Sequence, residues 1–411
     1  FVYPRCEDST LILTMFDSWG DGWNGNTFCI EDDCTTLQSG SEGTGEFCVD
    51  LSIENNIVCG GGAWQEEVFW SLSDSNGTTL ATGGAPFEGC VGGSCEPEII
   101  ELYDFDDNGQ IREYYLYRPS SIEDDAPLVF VLHGYSGTAW GIMSYSGMDE
   151  MAAEHGFAVC YPQGLSDQSG YNFWNVGYDF HQNQTVDDVA FLSSLANYLQ
   201  EEYNLSSENT FSTGMSNGGD MSYMLACEAS DVFKAIAPVA GCMMENIYNT
   251  CNPNPVPVLE IHGTNDNVTL WDGDMDNNDG WGSYLSTTDG IDYWVEVNEC
   301  TSSEQISTPG TNTIHHRYFD CIDNVEVWLY EVIGGGHDWP SYSNREIWGF
   351  FSSYVSNLGD GNQDGIVNIL DVIILINVIL DNEYNASFDM NSDEIINVLD
   401  VVQVVNIILD E

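Results

Sequence analysis

The chain has 411 residues, and its 67 Asp and Glu against 6 Lys and Arg give a formal charge of −61. Binders of nucleic-acid phosphate or of anionic membrane surfaces draw affinity from Lys and Arg, so both classes are excluded. Hydrophobic residues at 43% allow packed cores and the length predicts two to four domains, while the longest apolar run, Val372 to Leu380, falls short of the roughly 20 residues that span a bilayer.

Like charges at this density repel unless salt screens them or Ca²⁺ binds them. A saline or calcium-containing medium outside the cell is the expectation; a surface made acidic only for solubility is the alternative. Thirteen cysteines without a CxxC pair argue for disulfides rather than zinc, and hence for an oxidising, extracellular address. The short-range candidates are Cys29–Cys34, Cys48–Cys59, Cys90–Cys95, Cys242–Cys251 and Cys300–Cys321, and the odd total leaves at least one thiol over. The sequence opens at Phe1 as a mature, secreted form would after removal of a signal peptide.

Residues 1–97 are rich in Gly, Cys and Trp with strand-type alternation. Val68, Trp70 and Leu72 alternate with Phe69, Ser71 and Ser73, and Asn76-Gly77 supplies a turn before Thr78 to Ala81, which predicts a hairpin in a small disulfide-braced β domain of sandwich type. The stretch Asp17 to Asn26 gathers oxygen side chains, as a turn-rich loop does and as a Ca²⁺ or glycan site does.

Residues 98–356 alternate buried-strand runs (Leu128–Leu132, Ala158–Tyr161, Val256–Ile261) with helical segments (Val189–Leu199, Asp220–Cys227), the pattern of an α/β domain with a mostly parallel sheet. Gly214-Met215-Ser216-Asn217-Gly218 matches GxSxG, the sharp strand-to-helix turn that exposes a serine nucleophile and needs small neighbours. Downstream, Asp266 follows a buried strand and His337 sits in Gly334-Gly335-Gly336-His337, which is the Ser…Asp…His order of an α/β-hydrolase. Upstream, His133-Gly134-Tyr135 ends a strand, so the Tyr135 N–H and the Asn217 N–H are the candidate oxyanion donors. In this reading Ser216 attacks an acyl carbon, His337 takes its proton, and Asp266 fixes the imidazole. Asp338 is expected to point away from its neighbour, Asp187 and Asp188 read as helix-start or loop-tethering acids, and His133 and His262 as loop-orienting residues. His155, His181, His315 and His316 have no supporting pattern.

These segments resemble the polyhydroxybutyrate-depolymerase-type esterases, a group that overlaps feruloyl and acetyl-xylan esterases of the α/β-hydrolase fold. Leu128 to Gly134, Tyr161 to Gly164, Asp187 to Phe191, Gly214 to Gly219, Ala237 to Gly241, His262 to Thr264 and Gly336 to Pro340 carry the resemblance. It implies a carboxylic ester as substrate, often bulky or polymeric. Tyr135 departs from the small residue or Cys of many relatives, and Trp140, Trp174, Trp281 and Trp339 are candidates for an aromatic cleft.

Residues 357–411 repeat a twelve-residue loop with oxygen ligands at EF-hand-like positions, each followed by an apolar helix. The first set is Asp360, Asn362, Asp364, the Ile366 carbonyl, Asn368 and Asp371; the second is Asp389, Asn391, Asp393, the Ile395 carbonyl, Asn397 and Asp400. Asp at position 12 in tandem copies resembles the dockerin module, which implies Ca²⁺ as cofactor. Helices Ile369–Leu380 and Val398–Leu409 are apolar nearly all round, so a cohesin-type receptor, another domain of this chain or a neighbouring copy is expected to cover one face. Together these readings predict a secreted serine esterase with a docking tail. The alternative is an assembly protein whose hydrolase domain is a scaffold, with the β and tail domains linking subunits.

Overall fold

The computed structural model describes residues 9–17, 19–93, 95, 100–119, 122–307, 312–355, 359–361, 367–381, 386–388, 390 and 395–410. Two four-stranded antiparallel sheets come first. One runs Glu42–Val49, Ser9–Asp17, Val68–Asp74, Thr79–Gly83; the other runs Asp33–Thr35, Thr27–Ile30, Asn55–Gly60, Phe87–Val91. Strand alternation turns Leu11, Leu13, Phe28, Ile57, Trp70 and Leu72 inward, where they fill the space between the sheets. The expected hairpin forms, with Trp70 opposite Gly83 and an irregularity after Leu72.

The cysteines follow from the same alternation. Cys29 and Cys34 face each other across paired strands and are bonded, as are Cys90–Cys95 and Cys300–Cys321. Two expected pairs are corrected. Cys48 lies on the outward face of its strand, between buried Phe47 and Val49, whereas Cys59 points into the sandwich core and is a free thiol, so the two cannot meet. Cys48 is nonetheless disulfide-bonded. Cys251, at the end of helix Glu245–Thr250, bonds to Cys227 in helix Asn217–Glu228 and ties the two helices together. Cys242 is left buried and free, as is Cys160.

The central domain is built on a ten-stranded sheet. Its order is Ser302–Ser307, Thr313–Phe319, Val327–Val332, Val258–Gly263, Ala235–Val239, Thr210–Met215, Leu128–Leu132, Ala158–Pro162, Gln110–Tyr117, Glu101–Asp107. The six middle strands are parallel and the pairs at each edge antiparallel. Every residue of Leu128–Leu132, Ala158–Pro162 and Ala235–Val239 is buried, because helices cover both faces: Asp188–Tyr203 and Asn217–Glu228 contribute to one core, Ala139–Ser146 and Ser343–Ser352 to the other. The sandwich rests on helix Ala139–Ser146, with the Phe69 and Trp140 rings 3.8 Å apart.

In the tail, helices Ile369–Asp381 and Val398–Asp410 pack through Val372, Leu375 and Val404, closed by Phe388. No helix among the described residues is long and apolar enough to cross a membrane.

Candidate active site

Strand Thr210–Met215 delivers Ser216 to the carboxyl edge of the sheet, and helix Asn217–Glu228 starts at the next residue. Ser216 has φ 56° and ψ −122°, a strained conformation held from both sides: its N–H donates to Val239 O and its C=O accepts from Asp220 N–H. The turn is possible only because Gly214 and Gly218, two residues to either side, lack side chains. A Cβ on Gly218 would overlap the Leu132 carbonyl and sit 2.8 Å from His133 O.

Asp266 follows strand Val258–Gly263 and is buried. Its Oδ1 accepts from Val268 and Thr269 N–H, while its Oδ2 lies 2.7 Å from His337 Nδ1. The two backbone donors aim the carboxylate, which in turn sets the imidazole tautomer. Gly263 is pressed against the Gly335 and Gly336 carbonyls, so the loop carrying His337 is seated directly on the end of the Asp266 strand. The structure pairs His337 with Asp266, and among the described residues no hydrogen bond joins Ser216 Oγ to His337. Asp338 is not the acid partner of His337.

The candidate oxyanion donors lie beside the serine. A Cβ on Gly134 would be 3.4 Å from Ser216 Cβ, so the turn His133-Gly134-Tyr135 lies against Ser216. His133 is buried, and its Nε2 accepts from Gly164 N–H at 2.9 Å, which puts the proton on Nδ1, 2.8 Å from Gly134 O. Burial lowers its pKa to about 4, so the ring is a neutral strut. Asn217 is pinned through its side chain: Oδ1 accepts from Trp174 N–H at 2.7 Å and Nδ2 donates to Trp174 O at 3.1 Å. Its own N–H, first in the helix, has no intrahelical partner.

Between Ser216, Tyr178, Asp220, Cys242, Trp281 and Tyr284 lies a pocket of about 20 Å³, on the order of a single water site. Asp220, one turn after Ser216, accepts from Tyr178 O–H at 2.6 Å and Cys242 N–H at 2.7 Å. Burial pushes its pKa up to about 6, against those hydrogen bonds. Deeper in, Glu260 meets His262 Nδ1 at 2.9 Å and Tyr223 O–H at 3.0 Å, and burial raises its pKa to about 7.

A rim of rings surrounds Tyr135: Tyr171, Tyr178, Phe180 and Trp281 all lie with centroids within 6.4 Å of it. Asp167 anchors the rim by accepting from Tyr135 O–H at 2.7 Å and facing His181 Nε2 at 3.1 Å. Burial opposes its charge, but these contacts and the Ser169 and Tyr171 amides bring its pKa down to about 2. Sequence reasoning missed Asp167, His181, Tyr178 and Phe180, which stand on separate loops without a shared motif. Of the candidate tryptophans, Trp281 is on the rim. Trp174 is core, with its indole N–H on His133 O; Trp339 is buried, and Trp140 lies in the seam with the sandwich. Asp187 caps helix Asp188–Tyr203 through Ala190 N–H, and Asp188 pairs with buried Arg112 at 2.9 Å, both structural roles.

In the tail, Asp360, Asp371 and Asp400 are buried. Asp371 accepts from Gly361 and Asn368 N–H, and Asp400 accepts from Met390 and Asn397 N–H, so the two repeats close their loops in the same way. Asn362, Asp364, Ile366, Asp389, Asn391 and Asp393 lie outside the described residues.

The strand order, the elbow and the Asp266–His337 pair define an α/β-hydrolase domain. Residues 112–287 match the esterase PHB depolymerase family, and residues 358–409 match the dockerin type I domain. Both resemblances read from the sequence are found again here. Feruloyl esterase B of Piromyces equi is 29% identical over 233 residues, 55% of this chain and 42% of that protein. A bifunctional acetylxylan esterase/xylanase XynS20E of Neocallimastix patriciarum is 24% identical over 266 residues, 62% of this chain and 36% of that protein. The chain thus spans less than half the length of these two relatives. Among solved structures, an acetyl xylan esterase from Aspergillus awamori superposes with a TM-score of 0.46 at 18% identity, over 62% of this chain and all of that one.

Proposed function

We propose that this is a secreted serine esterase that cleaves carboxylic esters on polysaccharides and is tethered through its calcium-loaded tail. The observation that carries the reading is the Asp266–His337 hydrogen bond at the edge where Ser216 emerges on its strained turn. His337 Nε2 takes the hydroxyl proton as Ser216 Oγ attacks the acyl carbon, and Asp266 stabilises the imidazolium. The Tyr135 and Asn217 amides receive the developing oxyanion, a contribution worth about 10²–10³ in rate per donor. His337 then protonates the leaving alkoxide, and water repeats the cycle on the acyl-enzyme.

The pocket beside Ser216 suits a short acyl group, and the aromatic rim suits a sugar ring on the alcohol side. Acetyl esters are therefore expected to turn over faster than feruloyl or hydroxybutyrate esters; a feruloyl preference would move the ring into the pocket and overturn this assignment.

The tail fits Ca²⁺: its donors are all oxygen, and no Lys or Arg follows Arg345 to compensate the buried carboxylates. Asp360, Asn362, Asp364, Asn368 and Asp371 would hold one ion, and Asp389, Asn391, Asp393, Asn397 and Asp400 the other, with the Ile366 and Ile395 carbonyls. Bound calcium would hold the two helices in register. Ile369, Leu370, Ile373, Val398, Leu399 and Val402 are more than half exposed, and this apolar face is the one a cohesin-type receptor would cover. Fluorophosphonate labelling tests the enzyme reading. Wild type should label and Ser216→Ala should not; labelling that survives the substitution, or never occurs, returns the hydrolase domain to a scaffold.

A further inference from the structure

We propose a second kind of cation site in the N-terminal sandwich, formed by Asp17, Asp21 and Glu67 and suited to Ca²⁺. One carboxylate oxygen from each of the three lies within 4.8 Å of the others. Asp17 ends strand Ser9–Asp17 and is only 4% exposed. Its Oδ2 accepts from the Gly20, Asp21 and Gly22 amides, which fixes the carboxylate. Its Oδ1 is sealed from solvent and has no hydrogen-bond partner among the described residues. A buried carboxylate oxygen left so is costly, and a bound cation would satisfy it.

Glu67 reaches the cluster from the short turn Gln65–Glu67, fifty residues further along the chain. Three like charges so close repel, and residues 6 to 111 contain no Lys or Arg that would offset them from within the domain. The domain has no His either, and its donors here are carboxylate oxygens, which select a hard cation over zinc. Oxygens bound to one Ca²⁺ at about 2.3–2.6 Å lie no more than roughly 5.2 Å apart. Three carboxylate oxygens within 4.8 Å of one another fit inside that span. The ion would clamp the loop after Asp17 to the turn before Val68, and so fix Trp19 and Trp64, which stand 81% and 61% exposed on these two segments.

Those tryptophans also supply the test. Residues 357–411 contain no Trp, so terbium luminescence excited through tryptophan reports the sandwich site and not the tail. In the full chain, Tb³⁺ should give a saturable signal that Ca²⁺ displaces. Asp21→Asn/Glu67→Gln, at two positions that are not fully buried, should weaken that signal at least tenfold and lower the calcium retained after dialysis by one ion per chain. Asp371→Asn/Asp400→Asn should keep the signal. An unchanged signal and calcium count in the first variant, or loss of the signal in the tail variant alone, would overturn the site. Circular dichroism of each variant separates loss of the ion from loss of the fold.

Discussion

At the residue scale the proposed triad members stood out because each stands in a glycine-rich context that only a tight turn explains: Gly214 and Gly218 around Ser216, Gly263 before Asp266, and three glycines before His337. Asp266→Asn keeps the shape but offers the wrong partner to His337 Nδ1, so kcat should fall by about 10³–10⁴ with unchanged circular dichroism. Steady-state turnover of a soluble ester checks it, and a loss below tenfold removes Asp266 from the proposed triad. Asp220 makes a different prediction. Its pKa is raised from 3.8 to about 6 by burial, so between those values the unfolded chain releases a proton that the folded chain holds. Stability therefore falls as pH rises through that window, by about 3 kcal/mol for a shift of roughly two units. Asp220→Asn removes the component, and the wild-type minus variant difference in urea-unfolding free energy should change in that sense between pH 4 and pH 7. A difference that does not move with pH sinks the assignment. Nothing near Asp220 in the sequence announced this, nor the anchoring of Tyr135 by Asp167, because both depend on loops that only the fold brings together.

At the element scale, legibility tracked burial. Leu128–Leu132 and Ala158–Pro162 are covered on both faces and read as continuous apolar runs, whereas Ser302–Ser307 at the sheet edge is mostly exposed and carries no hydrophobic alternation. Glu101–Asp107 also escaped notice, because its acids alternate with only three apolar residues, although Asn108-Gly109 marks the turn that pairs it with Gln110–Tyr117. The elbow is the element whose sequence and geometry agree most closely. A methyl group at residue 218 would push the Leu132–His133 carbonyls, and hence the Tyr135 amide, away from Ser216. Gly218→Ala should destabilise the central domain by about 1–3 kcal/mol, lowering its melting temperature by several degrees as well as the rate of fluorophosphonate labelling. A scanning-calorimetry trace superimposable on wild type would show that the turn has slack the contacts do not suggest.

At the scale of the whole molecule, charge acts twice. The net −61 repels at long range, and the range is set by salt, about 30 Å at 0.01 M against about 8 Å at 0.15 M. Every melting transition should therefore rise as NaCl increases across that interval. Buried carboxylates act at short range instead: Asp360, Asp371 and Asp400 in the tail, and Asp17 in the sandwich, where screening does not reach and a bound ion would. At matched ionic strength, Ca²⁺ should raise the tail and sandwich transitions further than Na⁺, and a chelator should lower them. The proposed ester chemistry draws on Ser216, His337, Asp266 and two backbone amides, none of which belongs to either acidic cluster. Turnover of a small soluble acetyl ester should thus survive chelation well below the first transition, while attachment through the tail is lost. If chelation abolishes that turnover while calorimetry shows the central domain still folded, the separation of a catalytic domain from its calcium-dependent tether is wrong.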